Sequence, residues 1–277
     1  MRNTPDSYFI PSRPEILIQL NKLINEKDLR IDQICQLLKQ DIALFSSVLA
    51  TVNTPYFGLA RKITSIEHAV SLLGINRVFT IVRLAALKNS LSTLGPLERF
   101  WDTGSDVASI CALLARRFQD VSTDDAYTLG MLHDCGVPLM MHNFENYKTF
   151  LTRIPTDSIS GLHAAQLEQY GVSHYDLGYA LTKTWNLPQA TCEAIRLQPE
   201  YKDFVRIKND EKDDVRTQLC VLLIAKEISR KYRTYWRVTK QDVPLISDLE
   251  PILNFMGICD YDFYDFRDDV LMMLEGS

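Results

Sequence analysis

Apolar residues recur along this chain at three- and four-residue steps, the spacing that lines one face of an α-helix. Ile16, Leu17, Leu20, Leu23 and Ile24 follow Pro14, a residue suited to the first turn of a helix. Ile31, Ile34, Leu37 and Leu38 make a second, shorter stripe. Ile42, Leu44, Phe45, Val48, Leu49 and Val52 make a third, which stops at Pro55 and Gly58. Ser65 reads as the N-cap of a helix from Ile66 to Leu73 that Gly74 ends, and Asn76 opens another through Val78, Ile81, Val82 and Leu84. Further along, Val107, Ile110, Cys111, Leu113 and Leu114 repeat the pattern, and Leu129, Met131 and Leu132 run into a His133-Asp134 pair. Leu177, Ala180, Leu181 and Trp185 form a stripe closed by Asn186-Leu187-Pro188, and Cys220, Leu222, Leu223, Ala225 and Ile228 form the last strong one. No segment alternates as a strand would, so the expected fold is all-α. Gly95-Pro96 is a strong breaker and divides an N-terminal helical bundle, 1–95, from a second helical half, 96–277, with a C-terminal extension. Residues 199–216, with the polar run 208–214, are expected to be a solvated loop or helix surface.

The composition supports a folded chain with a sizeable core. Of 277 residues, 46% are hydrophobic and 23% charged, which leaves little room for long disorder. A net charge of −5 gives no electrostatic footprint for nucleic acid or an anionic membrane, so neither is expected as a partner. The first residues lack the charged-then-apolar pattern of a signal peptide, and no apolar run approaches the ~18 residues that a spanning helix needs. Six cysteines, Cys35, Cys111, Cys135, Cys192, Cys220 and Cys259, form no C-x-x-C pair. Four of them lie inside helical stripes, which predicts free thiols in a reducing cytoplasm rather than disulfides or zinc ligands.

An ordered series of local motifs resembles the HDOD family. It runs Ile10-Pro11-Ser12-Arg13-Pro14, Gln40-Asp41, Asn53-Thr54-Pro55-Tyr56-Phe57-Gly58 and Ile63-Thr64-Ser65-Ile66-Glu67-His68-Ala69-Val70. Leu72-Leu73-Gly74-Ile75-Asn76-Arg77-Val78, Phe100-Trp101 and Met131-Leu132-His133-Asp134-Cys135-Gly136 follow in order. Gly171-Val172-Ser173-His174, Leu177-Gly178 and Trp185-Asn186-Leu187-Pro188 complete it, so the resemblance covers residues 10–188. It implies an N-terminal helical bundle packed on a helical subdomain related to the HD phosphohydrolases. Those enzymes hold divalent metal through an early His, the His-Asp pair and a late Asp. Such a metal polarises a phosphoryl oxygen and generates a nucleophilic hydroxide near neutral pH.

Set against that pattern, the chain departs twice. Aligning Phe100-Trp101 puts Thr103 where the early His would stand, and aligning Leu223-Ile224-Ala225 puts Lys226 where the late Asp would stand. An ammonium repels a metal ion, so the subdomain reads as degenerate and no cofactor is expected. A divalent metal on His133 and Asp134 is the alternative. The favoured reading of the pair is a polar contact organising the core, with the Lys226 ammonium within salt-bridge range of Asp134. The implied role is a non-catalytic cytoplasmic signalling or scaffolding protein that works through protein partners, with a small anionic ligand also open. Its rival is a metal-dependent phosphohydrolase acting on a nucleotide or cyclic dinucleotide, for which His174 or Glu168 would have to approach His133.

Other residues divide between plain and functional readings. His174 is read as a structural hydrogen-bonder before a phosphate or metal contact. His68, His142 and His163 lack companion ligands and are read as surface or packing residues. Cys135 is read as a small apolar filler before a redox-sensitive thiol, and Tyr56-Phe57 as core before a docking site. Lys226, Arg230, Lys231, Arg233, Arg237 and Lys240 are read as a solvated face before an anion-binding one. The stretch 260–266, Asp-Tyr-Asp-Phe-Tyr-Asp-Phe, is open between a docking tail and a segment that folds back to bury its rings.

Overall fold

The computed structural model of the chain describes residues 8–25, 30–54, 57, 59, 61–95, 97–118, 121–154, 158–207, 213–237 and 249–275. They are helical throughout, with no strand among them, as the periodicity requires. Pro55, Tyr56, Gly58, Lys240 and the run 208–212 lie outside the described residues. No helix among the described residues is long and apolar enough to cross a membrane.

The chain divides into two compact units. Pro11–Pro96 forms one, and Leu97 onward forms the other together with residues 8–10. The smaller unit holds α1 (Glu15–Ile24), α2 (Ile31–Leu38), α3 (Ile42–Val52), α4 (Ile66–Leu73) and α5 (Ile75–Ser92). α5 is its axis: Val78, Ile81, Val82, Leu84, Leu87 and Leu91 are buried, and α1, α3 and α4 all pack on it. Helix starts follow the capping chemistry of the sequence. Asp41 Oδ1 accepts from the Leu44 N–H at 2.9 Å and Ser65 Oγ from the His68 N–H at 3.1 Å, each satisfying a donor that the first turn leaves free. Gly74, at φ 80°, turns the chain between α4 and α5, a conformation that disfavours any side chain. Pro14 sits one place earlier than the sequence suggested. It stands extended just ahead of α1, where its carbonyl accepts from the Leu17 N–H at 3.0 Å. Asn53 has a role that its residue type alone does not reveal. Its amide accepts from the Ile63 N–H at 2.7 Å and donates to the Ile63 carbonyl at 2.8 Å, closing the connection after α3 as a backbone pair would.

The larger unit contains α6 (Glu98–Phe118), α7 (Thr123–Leu132), α8 (Gly136–Asn143), α9 (Tyr147–Arg153), α10 (Ile159–Tyr170) and α11 (His174–Thr184). α12 (Gln189–Arg196), a 3-10 turn (Gln198–Glu200), α13 (Tyr201–Arg206), α14 (Asp213–Arg237), α15 (Glu250–Met256) and α16 (Asp260–Glu275) follow. α6 packs along α7 and α14, while α11 packs on α8 and α12. The Asn143 side chain ties residues 8–10 to this unit, accepting from the Phe9 N–H at 2.8 Å and donating to the Phe9 carbonyl at 3.2 Å. α14 carries the densest apolar run: Leu219, Cys220, Val221, Leu222, Leu223, Ile224, Ala225 and Ile228 are all buried.

Two expectations need correction here. Residues 199–216 are not a solvated surface throughout, because Pro199, Tyr201, Val205 and Arg216 are buried. The segment includes a short helix, α13, which buries Tyr201 and Val205 and packs against α14 and α15. Nor does the cationic series share one solvated face. Lys226 is buried, and Arg230 holds Glu227 one turn away at 3.1 Å. The 260–266 stretch splits by helical face. Phe263 is buried and Phe266 lies under the Arg117 guanidinium at 5.5 Å, while Tyr261 and Tyr264 are exposed.

Candidate functional site around His133 and Asp134

Close helix packing sets the position of the pair. At Gly130 an added Cβ would come within 2.5 Å of the Ala108 Cα, so only glycine lets α7 lie this near α6. His133 caps the C-terminus of α7 and is buried. Its Nδ1 lies 2.6 Å from the Gly130 carbonyl, and a carbonyl can only accept, so Nδ1 carries the proton. This turns Nε2 toward Asp134 Oδ2 at 3.2 Å. Asp134 stands between α7 and α8 with its carboxylate 29% exposed, open to solvent along one edge.

The second histidine arrives on α11. Ser173 caps that helix in a closed capping box: its Oγ accepts from the Asp176 N–H at 3.3 Å, and its own N–H donates to Asp176 Oδ2 at 2.9 Å. Losing the cap in Ser173→Ala should destabilise the unit by about 1 kcal/mol, read as a lowered urea midpoint. His174 follows directly. Its backbone N–H donates to Gln166 Oε1 at 3.1 Å, which fixes the orientation of that amide. The His174 Nδ1, 2.8 Å from the same oxygen, is therefore also a donor. Burial pulls the His174 pKa below its usual value in spite of nearby Asp134, so the ring is neutral at pH 7. With Nδ1 protonated, Nε2 bears the lone pair. It faces Asp134 Oδ1 at 3.7 Å, beyond hydrogen-bond length.

The third group is Lys226, from the middle of the apolar run of α14. Its Nζ lies 3.1 Å from Asp134 Oδ1, the ion pair expected from the sequence, and 2.7 Å from Gln198 Oε1. Burial would raise the Asp134 pKa, but His133 and Lys226 outweigh it and hold the carboxyl well below its ordinary value of 3.8.

Three supporting residues escaped the sequence reading. Gln198 donates to the His133 carbonyl at 2.9 Å and to the Ile195 carbonyl at 3.1 Å while accepting from Lys226, so its amide is fully engaged. Gln166 donates to the Tyr147 hydroxyl at 2.6 Å, and both side chains are fully buried. The only sequence signal for the two glutamines is polarity inside otherwise apolar helical faces, which surface residues share.

Thr103 forms no hydrogen bond with His133, Asp134 or Lys226 among the described residues. Its hydroxyl donates to the Arg99 carbonyl at 2.9 Å, one turn back on its own helix. Glu168 is exposed on α10 beside Asn146 and Arg153 and does not approach His133. His68 and His142 are exposed, the latter tilted against the Phe9 ring with centroids 4.5 Å apart. Cys135 is buried with its Sγ 3.8 Å from the Gly178 carbonyl, and burial pushes its thiol pKa far up, which makes it a poor nucleophile. All six cysteines are free, and five are buried.

The HDOD domain family matches residues 10–201, most of the chain. The chain belongs to the HDOD family. An uncharacterised protein of Treponema pallidum (strain Nichols) is 26% identical over 189 residues, covering 68% of this chain but 37% of its own length, so the chain spans little more than a third of that relative. Among solved structures, a Shewanella amazonensis SB2B protein named "Putative phosphohydrolase" superposes with a TM-score of 0.67 at 20% identity, covering 95% of this chain and 91% of its own. A Marinobacter aquaeolei VT8 protein named "Putative signal transduction protein" superposes with a TM-score of 0.63 at 18% identity over 96% of this chain and 59% of its own. At these identities the likeness is one of fold, and it agrees with the all-α architecture.

The HD-type fold implies a divalent metal at this position, and the residues do not fit one. Lys226 places an ammonium within hydrogen-bond distance of the carboxylate that would be the central ligand. Among the described residues no group of three or more His, Cys, Asp or Glu side chains is arranged to hold a metal ion.

Proposed function

We propose that this HDOD protein is a non-catalytic signalling or scaffolding module of bacterial-type signal transduction, acting through protein contacts in the cytosol. The observation that carries this reading is the Lys226–Asp134 contact of 3.1 Å. A metal hydrolase needs convergent anionic or neutral donors and an open coordination position for substrate. Here a tethered cation neutralises the carboxylate instead, so the cluster fastens α7, α11 and α14 together without a hydrolytic centre. The free, mostly buried thiols support a reducing compartment, and the name of the Marinobacter structure supports a signalling role.

A second reading has its own observation. His133 Nε2 and His174 Nε2 both converge on Asp134, a partial donor set that a metal-dependent phosphohydrolase for a nucleotide or cyclic dinucleotide would have to complete. Metal analysis separates the two. The full chain, incubated with Mn²⁺, Fe²⁺ or Zn²⁺ and then desalted, should retain only traces of metal and leave phosphodiesters intact. Stoichiometric metal that disappears in a His133→Ala, Asp134→Ala double variant would overturn the signalling reading in favour of the hydrolase.

A further inference from the structure

α16 (Asp260–Glu275) concentrates features that the packing of the larger unit does not use. It holds five aspartates, one glutamate and one arginine, a net charge of −5 that equals the charge of the whole chain, so the remainder is neutral overall. Its inner side is set by Phe263 and Val270, both buried. The opposite side carries Tyr261, Asp265, Asp268 and Met272, which recur at three- and four-residue steps and form one stripe about three turns long. An amphipathic helix is normally polar on this side. Here Tyr261 is 75% exposed, Met272 71%, and Tyr264 beside them 52%. Four of the ten large hydrophobic side chains exposed among the described residues belong to this one helix. Single exposed apolar residues are ordinary on a protein surface, whereas a cluster marks a contact surface.

Local chemistry accounts for only part of the charge. Asp260 and Asp262 stand in the first turn, where carboxylates suit the helix dipole, and Asp262 also accepts from the Cys259 thiol at 3.1 Å. Arg267 holds Asp268 at 2.7 Å and lies over the Tyr264 ring at 4.8 Å. Asp265 and Asp269, one turn apart, make no hydrogen bond or ion pair among the described residues. Like charges at this spacing cost a helix about 0.2–0.5 kcal/mol. The outer face therefore bears two costs, exposed apolar surface and repelling carboxylates, and one kind of partner relieves both.

We propose that the outer face of α16 docks a basic amphipathic helix of a partner protein. Apolar side chains of that helix, about three turns apart, seat on Tyr261 and Met272, and Lys or Arg between them meets Asp265 and Asp269. The inference rests on the protein-contact reading above and gives it a surface. Charge decides the class of partner. The phosphates of a nucleic acid or an anionic membrane are repelled, and a self-complementary contact between two copies of α16 sets aspartates against aspartates. Tyrosine and methionine suit the contact, the first as a rigid amphipathic ring and the second as an adaptable thioether.

The test is an NMR titration of the full chain labelled at its seven methionine methyls, with a synthetic amphipathic helix of lysine and leucine as probe and the same helix with glutamate for lysine as comparison. The expected result is a saturable shift of the Met272 methyl with the lysine helix and none with the glutamate helix, while the fully buried Met140 stays still. Affinities are read from the fluorescence anisotropy of the labelled lysine helix. Tyr261→Ala and Met272→Ala, both changes at exposed positions, should each weaken binding about tenfold. Asp265→Asn together with Asp269→Asn should weaken it about tenfold at low salt and flatten its salt dependence. Glu145→Gln together with Glu168→Gln, exposed carboxylates elsewhere on the same unit, should leave the affinity almost unchanged. The proposal is overturned if Met272 stays still, or if the two double variants weaken binding equally, the mark of unspecific charge attraction. It is also overturned if dilution of the chain alone moves Met272, which would assign the face to a second copy. A silent Met272 leaves a metal-free signalling module standing, whereas stoichiometric metal overturns that reading whatever Met272 does.

Discussion

Gly136→Ala should be among the most damaging single substitutions in this chain, costing about 3 kcal/mol or more and displacing α11. A Cβ built on Gly136 would stand 1.8 Å from the His174 carbonyl oxygen and 2.8 Å from the Gly178 nitrogen. Both are backbone atoms, so no side chain can rotate aside, and relief requires α8 and α11 to separate. Gly178 completes the contact from the other side, its own Cβ position lying 3.4 Å from the Gly136 nitrogen. Overpacking a core ordinarily costs about 1–3 kcal/mol, and rigid backbone neighbours put this case at or beyond the upper end. The displaced carbonyl belongs to His174, so the Asp134 cluster should loosen with the helix. Urea denaturation measures the cost, and the His174 ring signals report the displacement. Wild-type stability in Gly136→Ala would show that the two helices do not approach as described.

Lys226→Met should be the most damaging change within the cluster at pH 7. Methionine fills a similar volume but removes the ammonium, leaving the Asp134 carboxylate without its lysine partner and Gln198 Oε1 without a donor. Breaking a buried ion pair from one side costs about 3–5 kcal/mol. The open edge of Asp134 lets water take part, which brings the expectation to about 2–3 kcal/mol. The pH dependence has a definite sign. In the wild type the folded Asp134 pKa lies below its ordinary 3.8, so its stabilisation is complete above that value and drains as pH falls toward the folded pKa. In the variant burial acts with less opposition and the carboxyl pKa rises. The stability gap between wild type and variant should therefore be widest near neutrality and narrow as pH falls below about 4. Adding Asp134→Asn should recover part of the loss, since no unpaired charge is then buried. A gap that is negligible at pH 7, or unchanged in acid, would argue against the pairing.

The amphipathic stripes of α1 to α5, the caps at Asp41 and Ser65 and the Gly74 turn are all legible in the sequence, because local geometry dictates them. Helical period and capping chemistry act over three or four residues and need no partner elsewhere. Membership of the HDOD family was legible for the same reason, through ordered short motifs. The Lys226–Asp134 pairing was expected from the same resemblance, and the two groups lie 3.1 Å apart. The tertiary structure decided what these residues do together. Gln166, Gln198 and Tyr147 look like ordinary surface or core residues until helices far apart in sequence bring them to His174, His133 and Lys226. The Thr103 hydroxyl, which the resemblance sets at a ligand position, bonds to the Arg99 carbonyl of its own helix. The 199–216 segment reads as solvated because charges dominate it, yet Tyr201 and Val205 are buried on α13, which packs against α14 and α15. Burial and hydrogen-bond partnership are properties of packed surfaces, and sequence periodicity fixes which face of a helix is apolar but not which face of another helix will meet it.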